Sequence, residues 1–254
     1  MKIGAQLYNL RDFTQNETDF EETFSKLNKI GFDMVQVSGI GPLDYGFIKT
    51  MMDKYNISVS GTHIWYEKLK NDLAGVIKDH KTIGATIVGL GAMPVEMRES
   101  YEGYMEFIEF ANAVGKELSK EGMVFAYHNH SFEFQKFGGK TGMDLIVENT
   151  DPDCVGFIPD VYWLQHGGVT PAEYLDKLGT RTKICHFKDM EYADGGPRFT
   201  ELGNGNINFK PILKVLQKYN VEFAAIEEDT CYNYEPFEAL NISLNYIKEL
   251  SEHV

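Results

Sequence analysis

The run Ile184-Cys185-His186-Phe187-Lys188-Asp189 decides how this chain is read: an apolar strand ends abruptly in a histidine, a lysine and an aspartate. Two other apolar runs finish on acids, Cys154-Val155-Gly156-Phe157-Ile158-Pro159-Asp160 and Val221-Glu222-Phe223-Ala224-Ala225-Ile226-Glu227-Glu228-Asp229. A fourth, Met123-Val124-Phe125-Ala126-Tyr127, runs into His128-Asn129-His130 and then Glu133. If these strands lie parallel in one sheet, their carboxyl ends bring imidazoles and carboxylates to one spot. Imidazole nitrogens with hard carboxylate oxygens suit a divalent cation, Mn, Mg, Co or Zn, and the absence of thiolates argues against a closed structural zinc site.

The rest of the chain extends the same pattern. Strands are expected over Ile3 to Tyr8, Met34 to Val37, Ile57 to His63, Thr86 to Gly91, Met123 to His128, Val155 to Asp160, Lys183 to Phe187 and Phe223 to Glu227. Helices are expected over about Thr18 to Ile30, Leu43 to Tyr55, Lys68 to Ile83, Arg98 to Lys120, Asp144 to Asn149, Pro171 to Leu178 and Pro236 to Leu250. Gly31 stops the first of these, and Thr170-Pro171 opens another as an N-cap followed by proline. Strands alternating with helices at a spacing of about thirty residues point to an α/β chain folded as a closed (β/α)8 TIM barrel. An open doubly wound sheet is the structural rival, but no GxGxxG follows the first strand and no GxxxxGK[ST] occurs. Residues 1–254 read as one barrel domain, a length such barrels commonly use.

Composition excludes several functions. A net charge of -14 with no basic cluster repels a phosphate backbone, so no nucleic-acid partner is expected. No apolar run approaches the roughly 18 residues of a membrane span, and no signal-peptide core follows Met1-Lys2, so the chain reads as cytoplasmic unless a leader has been removed. Cys154, Cys185 and Cys231 include no CxxC pair and fit free thiols.

In a barrel of this kind the active site lies at the carboxyl ends of the strands, where Asp160, His186 and Glu227 fall. Each has a plainer reading: Asp160 as a turn or helix-cap residue, His186 as a satisfied core histidine, Glu227 as a partner of a lysine. Positions two apart on a strand share a face, so His128 and His130 could both meet the mouth, one as ligand and one against substrate. Glu133 in the following loop could be a base, a substrate acceptor or a surface acid. Lys188 could steady an oxyanion or cap Asp189. Arg198, in a glycine-rich loop, could reach over the site or be exposed. His63, Trp163, Tyr162 and Trp65 stand at or just past the rim, where aromatic walls commonly meet sugar rings and as often simply pack.

Taken together, Gln6-Leu7-Tyr8-Asn9-Leu10-Arg11, Tyr127-His128-Asn129-His130 with Glu133-Phe134, Asp160-Val161-Tyr162-Trp163, His186-Phe187-Lys188-Asp189, Leu202-Gly203-Asn204-Gly205 and Ile226-Glu227-Glu228-Asp229 form an ordered set. In that order the chain resembles the sugar phosphate isomerase/epimerase family with a xylose isomerase-like barrel. The resemblance implies a TIM barrel and a divalent metal held by His128, Asp160, His186 and Glu227. Ketose 3-epimerases of the family carry a glutamate where this chain has His128, which departs from their two-glutamate mechanism. The resemblance also sets Glu133 near a second acid that contacts substrate and Arg198 near a loop arginine. Relatives with the histidine-asparagine-histidine run resemble inosose dehydratases or act on 3-keto sugars and 3-keto-glycosides.

The function expected from sequence is therefore a metal-dependent isomerase or epimerase that removes a proton alpha to the carbonyl of a sugar or keto-sugar. Glu227, His128, Glu133 and Lys188 are its catalytic candidates, and His63, His130, Trp163 and Arg198 its substrate contacts. A keto-sugar dehydratase or 3-keto-glycoside lyase on the same site is the alternative within this chemistry. Phosphodiester hydrolysis, as in endonuclease IV, would need more zinc ligands and a cationic groove. A non-catalytic sugar-binding protein is the third reading, and a homo-oligomer is compatible with any of them.

Overall fold

Eight short strands carry the fold: β1 (Lys2–Gln6), β2 (Met34–Val37), β3 (Ser58–His63), β4 (Ile87–Leu90), β5 (Val124–His128), β6 (Val155–Ile158), β7 (Ile184–Phe187) and β8 (Phe223–Ile226). The computed structural model describes residues 1–253. Every position of β2, β4, β6 and β7 is buried, as strands covered on both faces require, which is why β4 and β6 read as continuous apolar runs, while β2 and β7 each bury one polar side chain, Gln36 and His186. All pairings are parallel, in the order β6-β5-β4-β3-β2-β1-β8-β7. The ring closes through bridges from Phe157 to Thr182 and from Asp160 to His186, where the His186 N–H donates to Pro159 O at 2.8 Å. The expected TIM barrel is therefore the fold, and its closing seam joins two of the expected metal ligands.

Side chains that point into the barrel lie in layers, because alternate positions along a strand share a face. A small apolar cluster, Ile87, Ala126, Ile158, Ile184 and Ala225, fills the interior. Two residues further along β5, β6, β7 and β8 stand His128, Asp160, His186 and Glu227. Two residues further again stand His130, Lys188 and Asp229. Glycine makes room on β4: a Cβ at Gly89 would lie 2.2 Å from Thr62 O and 2.9 Å from the His63 ring.

Several elements differ from the sequence expectation. Strand β1 stops at Gln6, and a 3-10 turn, Leu7–Phe13, carries Tyr8 and Arg11. The helix expected over Lys68 to Ile83 is two helices, Tyr66–Asn71 and Leu73–Ile83, because Asp72 ends the first and caps the second, accepting the Gly75 N–H at 3.1 Å. A helix at Phe209–Lys218, between β7 and β8, was not among those expected. The segment containing Arg198 is an antiparallel hairpin, Asp189–Ala193 with Gly196–Thr200. Among the described residues no helix is long and apolar enough to cross a membrane.

Candidate metal centre

His128, Asp160, His186 and Glu227 each offer a ligand atom, and these four atoms lie within 4.8 Å of one another. All four residues are buried, none more than 5 % exposed. Asp160 is the helix cap its plainer reading expected, Oδ1 accepting the Trp163 N–H at 3.0 Å at the start of Val161–His166, while Oδ2 is turned to the cluster. Asn129 holds the same residue from behind, its Oδ1 accepting the Asp160 N–H at 3.0 Å.

The histidines show why a cation fits. His128 Nδ1–H donates to Gly91 O at 2.9 Å, and its Nε2 stands 3.4 Å from Asp160 Oδ2. His186 Nε2–H donates to Gln36 Oε1 at 2.6 Å, so its Nδ1 stands 2.8 Å from Glu227 Oε2 and 3.9 Å from Asp160 Oδ2. In neutral imidazoles these inner nitrogens are lone pairs facing carboxylate oxygens, and acceptors facing acceptors repel unless a cation lies between them. The donor set is thus one that could hold a divalent metal, with both tautomers fixed from outside.

Lys188 completes the charge balance. Its Nζ lies 3.1 Å from Asp160 Oδ2, 3.0 Å from Glu227 Oε2 and 3.0 Å from Asp229 Oδ2. Burial by itself would lower the lysine, but Asp160, Glu227 and Asp229 outweigh it and hold the ammonium well above its ordinary value. Burial would likewise raise Asp160 and Glu227, and Lys188 with the imidazoles holds both below the usual carboxylate range. Burial would lower His128, yet Asp160 and Glu227 draw it upward. His63 and His130 are pushed well below the usual histidine value by burial, reinforced by His128, so both are neutral at pH 7.

Above the cluster opens a cavity of about 660 Å³, with His63, His128, His130, Lys188, Glu227 and Asp229 among its lining residues. The His63 ring lies 5.2 Å from His128 and 5.3 Å from His186. His130 lies 4.9 Å from His128 and 5.3 Å from Trp163, and the Lys188 ammonium sits 5.5 Å from the indole centre. His63 Nε2, His130 Nδ1 and Trp163 Nε1 are buried without a hydrogen-bond partner. Buried polar atoms in that state are uncommon, and three of them around one cluster could receive ligand atoms.

Three of the expected catalytic or substrate contacts do not line the cavity: Trp163, which packs behind His130 and Lys188, Glu133 and Arg198. Glu133 is fully buried behind the cavity wall, where its carboxylate accepts the Tyr127 hydroxyl at 2.7 Å and the His130 N–H at 2.8 Å. Burial pushes it up to about 7. Arg198 is held on the hairpin by Glu191 and Asp194, each at 2.7 Å, and does not line the cavity. Asp189, by contrast, explains a motif: its two carboxylate oxygens accept the N–H groups of Met190, Gly203, Gly205 and Ile207, which binds Leu202-Gly203-Asn204-Gly205 to the end of β7.

Sequence reasoning missed Gln36, the Gly91 carbonyl and Asp229 as parts of this cluster. Asp229 was reachable by counting two beyond Glu227, and Gln36 by asking why a buried strand, Met34–Val37, contains an amide. Nothing in sequence announced the Gly91 carbonyl, since any residue type could supply it.

Comparison with known proteins agrees with this fold. The family model described as xylose isomerase-like TIM barrel matches residues 26–250. An inosose dehydratase from Clostridium beijerinckii is 24% identical over 281 residues, covering 92% of this chain and 90% of that protein. A sugar phosphate isomerase/epimerase structure from Parabacteroides distasonis superposes with a TM-score of 0.83 at 22% identity, covering 98% of both chains. A xylose isomerase-like TIM barrel protein from Mycobacterium smegmatis, solved in complex with magnesium, gives a TM-score of 0.74 at 16% identity, covering 99% of this chain and 97% of that one. At these identities the structural likeness shows the fold.

Proposed function

Because the chain belongs to the xylose isomerase-like TIM barrel family, we propose that it is a divalent-metal-dependent enzyme that removes a proton alpha to the carbonyl of a keto-sugar or related polyhydroxy ketone. The observation that carries this reading is the pair of imidazoles whose outer nitrogens are tied to Gly91 O and Gln36 Oε1, so that their lone pairs meet two carboxylates. When bound, the cation supplies positive charge to substrate oxygens and to the oxyanion that develops as the proton leaves.

The chain's own residues divide the remaining work. Glu227 lines the cavity and takes the α-proton as the C–H bond breaks, its low proton affinity rising as substrate displaces Lys188 from Oε2. Lys188 is the one fully buried ammonium at the cluster and donates a hydrogen bond, then a proton, to the oxygen that gains charge. His63 Nε2 and His130 Nδ1 receive substrate hydroxyls. Glu133 acts through others, fixing the His130 backbone and the Tyr127 hydroxyl.

The position of Glu133 bears on which reaction follows. Epimerisation by two carboxylates needs acids on opposite faces of the carbon, and here the second candidate is turned away from the cavity. Isomerisation between adjacent carbons needs proton removal and return on one face, and dehydration needs proton removal at one carbon with protonation of the hydroxyl that leaves the next as water; Glu227 as base and Lys188 as acid can supply either. The inosose dehydratase likeness supports the dehydration reading. The test is exchange of substrate hydrogen with deuterated water across ketoses and inososes, with and without added Mn, Mg, Co or Zn. No exchange with any metal-loaded form, alongside intact sugar binding, would leave a binding protein instead.

A further inference from the structure

The turn after β1 holds an arginine that the proposed chemistry does not use. Arg11 lines the cavity that contains Lys188 and Glu227. It is stacked on the Tyr8 ring, 4.5 Å from guanidinium carbon to ring centre, and its Nη1 donates to Tyr8 O at 2.8 Å. That leaves its Nε and Nη2 edge, the edge that pairs with two oxygens of one planar anion, with no protein acceptor and no carboxylate within 4 Å among the described residues. The turn is fastened to the metal cluster, because Asn9 Oδ1 accepts the N–H of Glu228, next to Glu227, at 2.7 Å. A second guanidinium lines the same cavity: Arg98 is stacked 4.0 Å from the Phe132 ring centre and tied to Met93 O at 2.6 and 2.9 Å, also without an acidic partner.

Glu67, Glu96, Glu227 and Asp229 line the same cavity, yet among the described residues neither guanidinium is paired with a carboxylate, in a chain of net charge -14 where acids are plentiful. Each is held by an aromatic face and a backbone carbonyl, so little side-chain freedom is lost when an anion arrives. We propose that Arg11 is a substrate-binding residue that receives a carboxylate, and that the substrate is a polyhydroxy ketone bearing a carboxylate, a keto-sugar acid, with Arg98 adding to the positive potential. A planar carboxylate matches a single free guanidinium edge. A phosphate ester calls for a wider set of donors, such as a helix N-terminus or a nest of backbone N–H groups. The proposal rests on the polyhydroxy-ketone reading above and narrows it.

The test is calorimetric binding of D-fructose, 5-keto-D-gluconate and fructose 6-phosphate to the Mn-loaded protein, in wild type, Arg11→Leu and Arg11→Lys. The keto acid is expected to bind wild type at least about tenfold more tightly than fructose, the lower end of what a charge-assisted pair supplies. That preference should vanish in Arg11→Leu and shrink in Arg11→Lys, which keeps the charge without the fork, while fructose binding stays unchanged in both. Circular dichroism confirms folding, and the lysine variant carries the test if the leucine variant does not fold. Equal binding of fructose and the keto acid overturns the carboxylate assignment while leaving the sugar reading intact. A preference that survives Arg11→Leu places the carboxylate on the metal and overturns the role of Arg11. Tighter binding of the phosphate than of the keto acid also overturns the proposal, and failure of all three ligands to bind sinks both it and the reading it rests on.

Discussion

Gln36→Leu removes the acceptor that fixes the His186 tautomer and changes no atom of the four ligands. The bond it deletes is 2.6 Å long between two fully buried side chains. A buried N–H left without an acceptor costs about 1–3 kcal/mol. His186 avoids that cost by moving its proton to Nδ1, which already lies 2.8 Å from Glu227 Oε2 and there becomes a donor. The inner nitrogen is then no longer a ligand, and a metal can bind only by driving the proton back to an orphaned position. The affinity for Mn should therefore fall by roughly 10–100-fold, the usual effect of losing a partner behind a metal-bound histidine. Competition with a fluorescent chelator measures the loss, and nitrogen-15 correlation spectra of His186 in the metal-free protein should show the tautomer change. Gln36→Glu, which restores an acceptor, should recover most of the affinity. A folded Gln36→Leu protein that binds Mn within about twofold of wild type would refute the reasoning.

Other outcomes follow from the same geometry. Asp160→Asn keeps the oxygen that caps Val161–His166 and should stay folded, yet both it and His186→Ala should emerge without bound metal on elemental analysis; full retention in both would remove the ligand assignment. Lys188→Met withdraws an ammonium 3.0–3.1 Å from two ligand oxygens, so Mn affinity should rise by about tenfold while turnover is lost, and weaker metal binding would contradict the charge balance. Glu133 titrates near 4.5 when unfolded and at about 7 when folded, so the native state holds the proton more tightly. Its contribution is full below pH 4.5 and falls by roughly 3 kcal/mol as pH rises to 7, the sign expected for a raised carboxyl. Urea unfolding of Glu133→Gln should show a shallower decline across that window, and an identical slope would exclude Glu133 as its source.

How much was legible in advance varies with the range of the interaction. The four candidate ligands could be named because each ends a strand whose apolar residues already mark the inward face, and a two-residue step along the same strand lands on one of them. Lys188 and His130 follow by one more step. The two roles of Asp160 were both foreseeable, since the rotamer that caps a helix with one oxygen leaves the other free. The helix Phe209–Lys218 was not among the expected elements, although its buried residues Phe209, Ile212, Leu213 and Leu216 recur at helical spacing.

By itself the sequence determined what depends on neighbours along the chain: strand and helix alternation, the direction of successive side chains, and the residue types waiting at each strand end. Only the tertiary structure decided what depends on partners brought from afar. His186 owes its tautomer to Gln36, 150 positions away, and Lys188 shares its charge with acids from β6 and β8. Glu133 lies in the short 3-10 turn Phe132–Phe134 and Arg198 on the hairpin after β7, both outside the barrel strands, so the inward-facing period of those strands does not reach them and their side chains turned to the donors and acids the folded chain placed beside them.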